Sequence, residues 1–236
     1  MLLRTAATRA LGLLYPERCI DCGEFGTLLC VPCERKVEPA TGVGRCRHCS
    51  ARFDGTDNCP RCMSLQQLEG VRAAFEMDGA ARHVVHALKY RGVRPFAQRM
   101  AEQVEPLRQA TPFDVAFAVP LHRSRHRSRG FNQSKLILDA LSWPTGQGSL
   151  HRMRKTETQV GLRAGERRSN VSGAFSYDGP SLTGLTVAIL DDVVTTGATV
   201  NECAAVLREH GARAVYAFAY ARASYNPATP LAEISD

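Results

Sequence analysis

Eight cysteines fall before residue 63 as four Cys-x-x-Cys pairs: Cys19/Cys22, Cys30/Cys33, Cys46/Cys49 and Cys59/Cys62. Two residues between thiolates let one short turn aim both sulfurs at a tetrahedral zinc ion, and eight such ligands suffice for two four-cysteine sites. Gly23, Pro32 and Pro60 stand beside the pairs and suit tight turns. Sequential pairing would give two small ribbons; an interleaved arrangement would use the same residues. The competing chemistry is a disulfide framework, which belongs to secreted chains. Arg9 interrupts the apolar N-terminus and no A-x-A cleavage pattern follows, so no signal peptide is read. The expectation is a cytoplasmic chain with reduced thiols and two structural zinc ions. The ninth cysteine, Cys203, reads as a small core residue on a helix.

A second chemical group is Ile189-Leu-Asp-Asp-Val-Val-Thr-Thr-Gly-Ala-Thr199. It falls between an apolar strand pattern and a helical one, where α/β sheets bind ligands at strand carboxyl ends. Unpaired amides and the dipole of a helix N-terminus favour phosphate there. Thr195, Thr196 and Thr199 add hydroxyls, Gly197 allows close backbone approach, and Val194 and Ala198 complete the loop. Asp191 and Asp192 are wrong for phosphate but right for ribose hydroxyls or Mg2+. The combination reads as a ribose-phosphate site, with acids for the diol and loop amides for the 5′-phosphate. The plainer alternative is an ordinary βα turn with an acid pair and a threonine cap. No GK[ST] is present, which excludes a P-loop.

Two basic stretches precede this loop. Val119 to Lys135 carries five Lys or Arg and no acid, so Arg123, Arg125, Arg127 and Arg129 can direct guanidinium groups at a pyrophosphate. His151 to Arg168 carries six Lys or Arg against two Glu and runs into a polar connection, Lys155 to Tyr177, of a length common for lids. The formal net charge is +7; the two stretches contribute +5 and +4, so the remainder is 7 − 9 = −2. Localised charge of this kind points first to a phosphate-bearing ligand and second to nucleic acid. Residues 1–70 carry nine basic against eight acidic residues, which weakens any grip of the ribbons alone on DNA and leaves a structural cap or a partner surface.

The elements that must position these groups are legible from periodicity. Leu3, Ala7, Ala10, Leu11 and Leu14 share one face of a short N-terminal helix. Helices are expected over His83–Tyr90, from Pro95 towards Pro106, around Leu136–Leu141 ahead of Pro144, and over Ala198–His210 with Gly211 closing the last. Asp114–Val119, Leu185–Leu190 and Val215–Ala221 read as strands. Alternating strands and helices specify an α/β domain with a mostly parallel sheet. The expected division is a helix and double zinc ribbon over 1–70, the α/β domain over 71–222 and a loose tail over 223–236. No run approaches the ~20 apolar residues of a membrane span.

The acid-Thr-Thr-Gly loop resembles the signature that binds 5-phosphoribosyl-1-pyrophosphate (PRPP) in the phosphoribosyltransferase superfamily. The cysteine-rich start, Val119-Pro-Leu-His-Arg…Arg129-Gly-Phe-Asn-Gln133, Thr158-Gln159…Arg167-Arg168-Ser-Asn170 and the loop occur in the order of the ComF family, and the match runs from about Leu14 to Arg222. That family includes competence and gluconate-linked proteins of bacteria. The resemblance implies a type I phosphoribosyltransferase fold with helices on both faces of the sheet, and Mg2+ bound with PRPP. It implies that Leu121, His122 and Arg123 approach the pyrophosphate, with Arg125, Arg127, Arg129, Asn132 and Gln133 on its rim. It further implies a mobile loop whose working residues are Arg154, Lys155, Gln159, Arg167, Arg168 and Asn170. Asp191, Asp192, Arg154 and Lys155 are the candidates for catalysis.

Two functions fit. One is an enzyme in which a nucleophile displaces pyrophosphate from the anomeric carbon of PRPP. The other is a non-catalytic module that holds a nucleotide, PRPP or single-stranded DNA in DNA uptake or utilisation, with the zinc module available to a DNA-handling partner. Single-strand binders pair basic grooves with stacking aromatics, and only Phe131 interrupts the first basic run.

Overall fold

The computed structural model describes residues 17–55, 59–154 and 173–223. The expected N-terminal helix, the tail beyond Ala223, and Lys155, Gln159, Arg167, Arg168 and Asn170 lie outside the described residues. The elements, in order, are α1 (Val31–Glu34), β1 (Gly70–Glu76), α2 (Gly79–Arg91), α3 (Pro95–Val104) and α4 (Leu107–Ala110). Then follow β2 (Val115–Ala118), α5 (Arg123–Arg129), α6 (Gln133–Ala140), β3 (Ser149–Arg152) and β4 (Phe175–Asp178). The chain closes with β5 (Thr186–Val194), α7 (Ala198–Glu209) and β6 (Ala214–Arg222).

Strands β1, β6, β5 and β2 form one sheet in that order, every neighbouring pair parallel. The apolar runs of β5 and β6 explain the choice: a parallel sheet is covered on both faces and needs such continuous runs. On one face α2, α3 and α6 bury Leu88, Phe96, Met100 and Ile137 against Ala188, Leu190 and Phe218. On the other, α7 and the antiparallel β3–β4 hairpin bury Leu207, Cys203 and Phe175 against Val187, Ile189 and Val215. Cys203 is fully buried in α7, as its sequence context predicts.

The zinc ribbons are not a separate body. Cys19, Leu29, Cys33 and Val37 belong to the first core, while Cys49, Cys59, Leu65 and Leu68 belong to the second. The segment between the ribbons runs antiparallel along the free side of β1, where Ala40 N donates to Ala74 O (2.9 Å) and Glu76 N to Glu38 O (2.8 Å). One ribbon therefore lies against each face of the sheet. Arg45 bridges Glu38 (2.6 Å) and the buried Glu76 at this crossing.

Four local features depart from the periodicity reading. β1 is a strand whose alanine-rich sequence carries little strand signal. β5 runs four residues past Leu190, the expected end of the strand, and so includes Asp191 and Asp192. The basic run folds as α5, which has no buried residue and hence no apolar periodicity; His122 caps its start and Gly130 (φ 78°) ends it. The expected long connection is shortened at its end, because Phe175–Tyr177 pair with β3.

Candidate functional site

The cysteines gather into two groups, Cys19/Cys22/Cys30/Cys33 and Cys46/Cys49/Cys59/Cys62, with the ligand atoms of each within 4.8 Å of one another. This is the sequential pairing. Sγ–Sγ separations are 3.6 Å for Cys22–Cys30, 3.5 Å for Cys46–Cys62 and 3.7 Å for Cys49–Cys59. Four sulfurs at the usual zinc–sulfur length span tetrahedral edges of about 3.8 Å, whereas a disulfide would hold them near 2.05 Å. All nine cysteines are unbridged. The donor sets fit structural zinc: four thiolates each, with no position left for a reactant.

The loop after β5 forms a small solvent-open pocket lined by Asp191 and by Val193 to Val200. Gly197 sits at the N-cap of α7 with φ 83°, and no side chain caps that helix. Helices α2, α5 and α6, by contrast, are capped by Asp78, His122 and Asn132. The first turn of α7 thus opens on the pocket, with Ala198 N donating to Thr196 Oγ1 at 3.3 Å and Asn201 N to Gly197 O at 2.9 Å. An uncapped helix start of this kind suits an anion.

The two acids beside the loop differ. Asp192 is buried and pairs with Lys89 Nζ at 2.7 Å, while Gln133 Nε2 donates to its Oδ1 at 3.4 Å. Burial opposes its charge, but the Lys89 ammonium outweighs it and holds the carboxyl below its ordinary range. Asp191 borders the pocket, and its Oδ1 accepts from Ser134 Oγ (2.9 Å) and from the Asp192 amide (2.9 Å). Burial first, and the neighbouring Asp192 second, push its pKa up to about 7.

The expected basic residues separate by role. His122 Nδ1 faces Ser124, with Ser124 N at 3.2 Å, so the ring is engaged as a cap. Asn132 caps α6 and donates to Val119 O at 2.9 Å, fixing the turn after β2. Gln133 is buried and links Arg129 Nη1 (2.8 Å) to Asp192. Leu121 and Arg125 are half-buried, whereas Arg123, Arg127 and Arg154 are exposed. Phe131 is buried with Arg94 over its ring at 5.2 Å, so it offers no face to a base.

Three site neighbours carried no strong sequence signal. Lys89 ends an amphipathic helix, where a lysine ordinarily serves the dipole. Ser134 is hidden in a first helical turn. Arg152 follows the buried Leu150 by two positions on β3, and the charges of Arg125 and Asp191 both act on it. It differs from Arg154 in lying within β3, whereas Arg154 falls beyond the end of that strand.

Residues 10–63 match the family model described as a double zinc ribbon domain. The chain is 37% identical over 150 residues to the DNA utilization protein YhgH of Salmonella typhi, covering 59% of this chain and 66% of that protein. It is 39% identical over 116 residues to competence protein F of Haemophilus influenzae, covering 47% and 51% respectively. Competence protein ComFC of Streptococcus pneumoniae is 28% identical over 198 residues, covering 75% of this chain and 87% of the relative. The matched regions thus span just under two thirds of YhgH and about half of competence protein F. Among solved structures, the allosteric regulatory enzyme of purine biosynthesis aligns with 52% of this chain and 25% of its own at 21% identity and a TM-score of 0.33. An overlap that partial carries no argument. Among the described residues no helix is long and apolar enough to cross a membrane.

Proposed function

We propose that the chain is a member of the ComF family, a zinc module joined to a phosphoribosyltransferase-like fold, and that its loop Val194–Thr199 binds the 5′-phosphate of PRPP or a related ribose phosphate. The observation that carries this reading is the uncapped start of α7, opening on a pocket whose other wall is Asp191. Loop amides and Thr195, Thr196 and Thr199 would hold the phosphate, and Asp191 the ribose hydroxyls or the Mg2+ that accompanies a pyrophosphate. Asp192 is committed to Lys89, so its role is to hold the end of β5 in place. Arg152, on β3, lies within the electrostatic reach of both Asp191 and Arg125 of α5, and the two arginines would take the pyrophosphate.

Displacement of pyrophosphate at the anomeric carbon is the reaction this arrangement suits. Mg2+, when bound, neutralises charge on the leaving pyrophosphate. Isothermal calorimetry with PRPP and Mg2+ tests binding, and a pyrophosphate-release assay against bases, nucleotides and DNA tests transfer. No Mg2+-dependent PRPP binding at millimolar concentration would overturn the reading.

A second reading rests on α5, whose Arg123 and Arg127 stand exposed on a helix that buries nothing. Such a helix can follow a phosphate backbone, and the named role of the YhgH relative in DNA utilization is compatible with it. With Phe131 buried, any base stacking would fall to the exposed Tyr90, over which Arg129 lies at 5.4 Å. A contribution from DNA phosphates would appear as a steep salt dependence of single-strand affinity.

A further inference from the structure

Arg222, at the end of β6, has no solvent exposure at all and is the largest fully buried side chain among the described residues. Its guanidinium reaches in two directions. Nε donates to Cys49 O at 3.0 Å, inside the second cysteine group. Nη1 donates to Val194 O at 2.9 Å and to Thr195 O, at the entry to the phosphate loop. Nη2 finds no hydrogen-bond partner among the described residues. A buried guanidinium needs a compensating anion. The second cysteine group, on whose Cys49 carbonyl the guanidinium rests, would supply one when loaded, because four thiolates around one zinc ion carry a net charge of about −2.

A second set of contacts runs the same way. Leu65, fully buried, lies so close under Gly197 that a Cβ there would run into its Cδ2. Ser64 Oγ donates to Thr196 O at 3.4 Å, and Gln67 N to Asn201 Oδ1 at 3.0 Å. These three residues directly follow the Cys59/Cys62 pair. The first cysteine group is tied elsewhere, through Asp21 to His83 on α2 (2.8 Å) and Glu34 to Arg99 on α3 (3.2 Å).

We infer that the second zinc centre, and not the first, is the positioning element of the phosphate loop. Zinc fixes the Cys46–Cys62 knuckles, Arg222 and Leu65 carry that position to Val194–Gly197, and the loop loses its binding shape when this zinc leaves. The consequence for ligand affinity rests on the ribose-phosphate reading above; the coupling itself does not.

Hydrogen exchange on the full zinc-loaded chain tests it, following 193–204 as the reporter and 95–104 in α3 as a measure of the global fold. Cys62→Ser should retain one zinc and exchange roughly tenfold or more faster at 193–204, with 95–104 still protected. Cys22→Ser should also retain one zinc yet match wild type at 193–204. Arg222→Lys should keep both zinc ions and still loosen 193–204. Equal protection of 193–204 in the two serine variants would overturn the inference. If either serine variant loses protection at 95–104 as well, Arg222→Lys decides alone, and wild-type exchange there overturns it. A wild-type chain blind to PRPP would sink the ribose-phosphate reading while leaving the exchange comparison intact.

Discussion

Asp191 and Asp192 are adjacent and chemically identical, and their surroundings assign them opposite work. Lys89 stabilises the charge on Asp192, so Lys89→Met leaves a buried carboxylate uncompensated and should cost about 3 kcal/mol, read by urea unfolding. Asp191 carries the reverse effect. Its folded pKa, raised to about 7, lies above the ordinary carboxylate value. Its stabilising contribution is therefore present at low pH and lost as pH climbs through about 7. Asp191→Asn should stabilise the ligand-free protein by about 1–3 kcal/mol at pH 8 and by less at pH 5, while abolishing calorimetric PRPP binding. Equal gains at the two pH values would contradict the assignment. In sequence these residues are two letters of one motif. What separates them is a lysine about a hundred residues earlier in the chain, and a local pattern carries no trace of so distant a partner.

At the scale of elements, the strands and helices that read easily are those with a buried stripe. β5, β6, α3 and α6 show their periodicity because each packs against the sheet. Helix α5 has no such stripe and is held by its caps, so it is invisible to a periodicity search although its residues were singled out by charge. Being exposed, its arginines can be removed without disturbing the core. Arg123→Gln with Arg127→Gln should leave the melting temperature within a degree or so and flatten the salt dependence of single-strand DNA binding by about two phosphate contacts. A wild-type protein that ignores DNA at low salt would remove the second reading. β1 escaped notice for a different reason: Ala73 and Ala74 carry no strand propensity, and tertiary pairing decides. Arg45, at its edge, holds Glu76; Arg45→Met should cost about 3 kcal/mol by removing the cation paired with that buried acid.

At the scale of the whole molecule, the spacing of the cysteines was sufficient to predict the metal, and metal analysis should return about two zinc per chain. Spacing could not show which knuckle stands under the loop, because that depends on Leu65 and Ser64 meeting the loop, and Arg222 meeting Cys49, across more than a hundred residues of sequence. Nor could composition show that the ribbons share both cores. A small metal-bound module looks separable on paper, since little of its surface is obviously apolar. Here its leucines and buried cysteines fill space that the sheet's own helices leave open.

The strip from Glu38 to Ala40 that lies along β1 has a practical bearing. A chain begun at residue 70 would expose a full seven-residue strand with unpaired amides and carbonyls on its outer side. Such an edge recruits other edges. Removing the ribbons should therefore yield aggregates or edge-paired dimers in light scattering, even with the phosphate loop intact. A soluble monomer would show that the strip is dispensable. The frontier between the two halves of this protein is a place where genes can be cut and matter cannot.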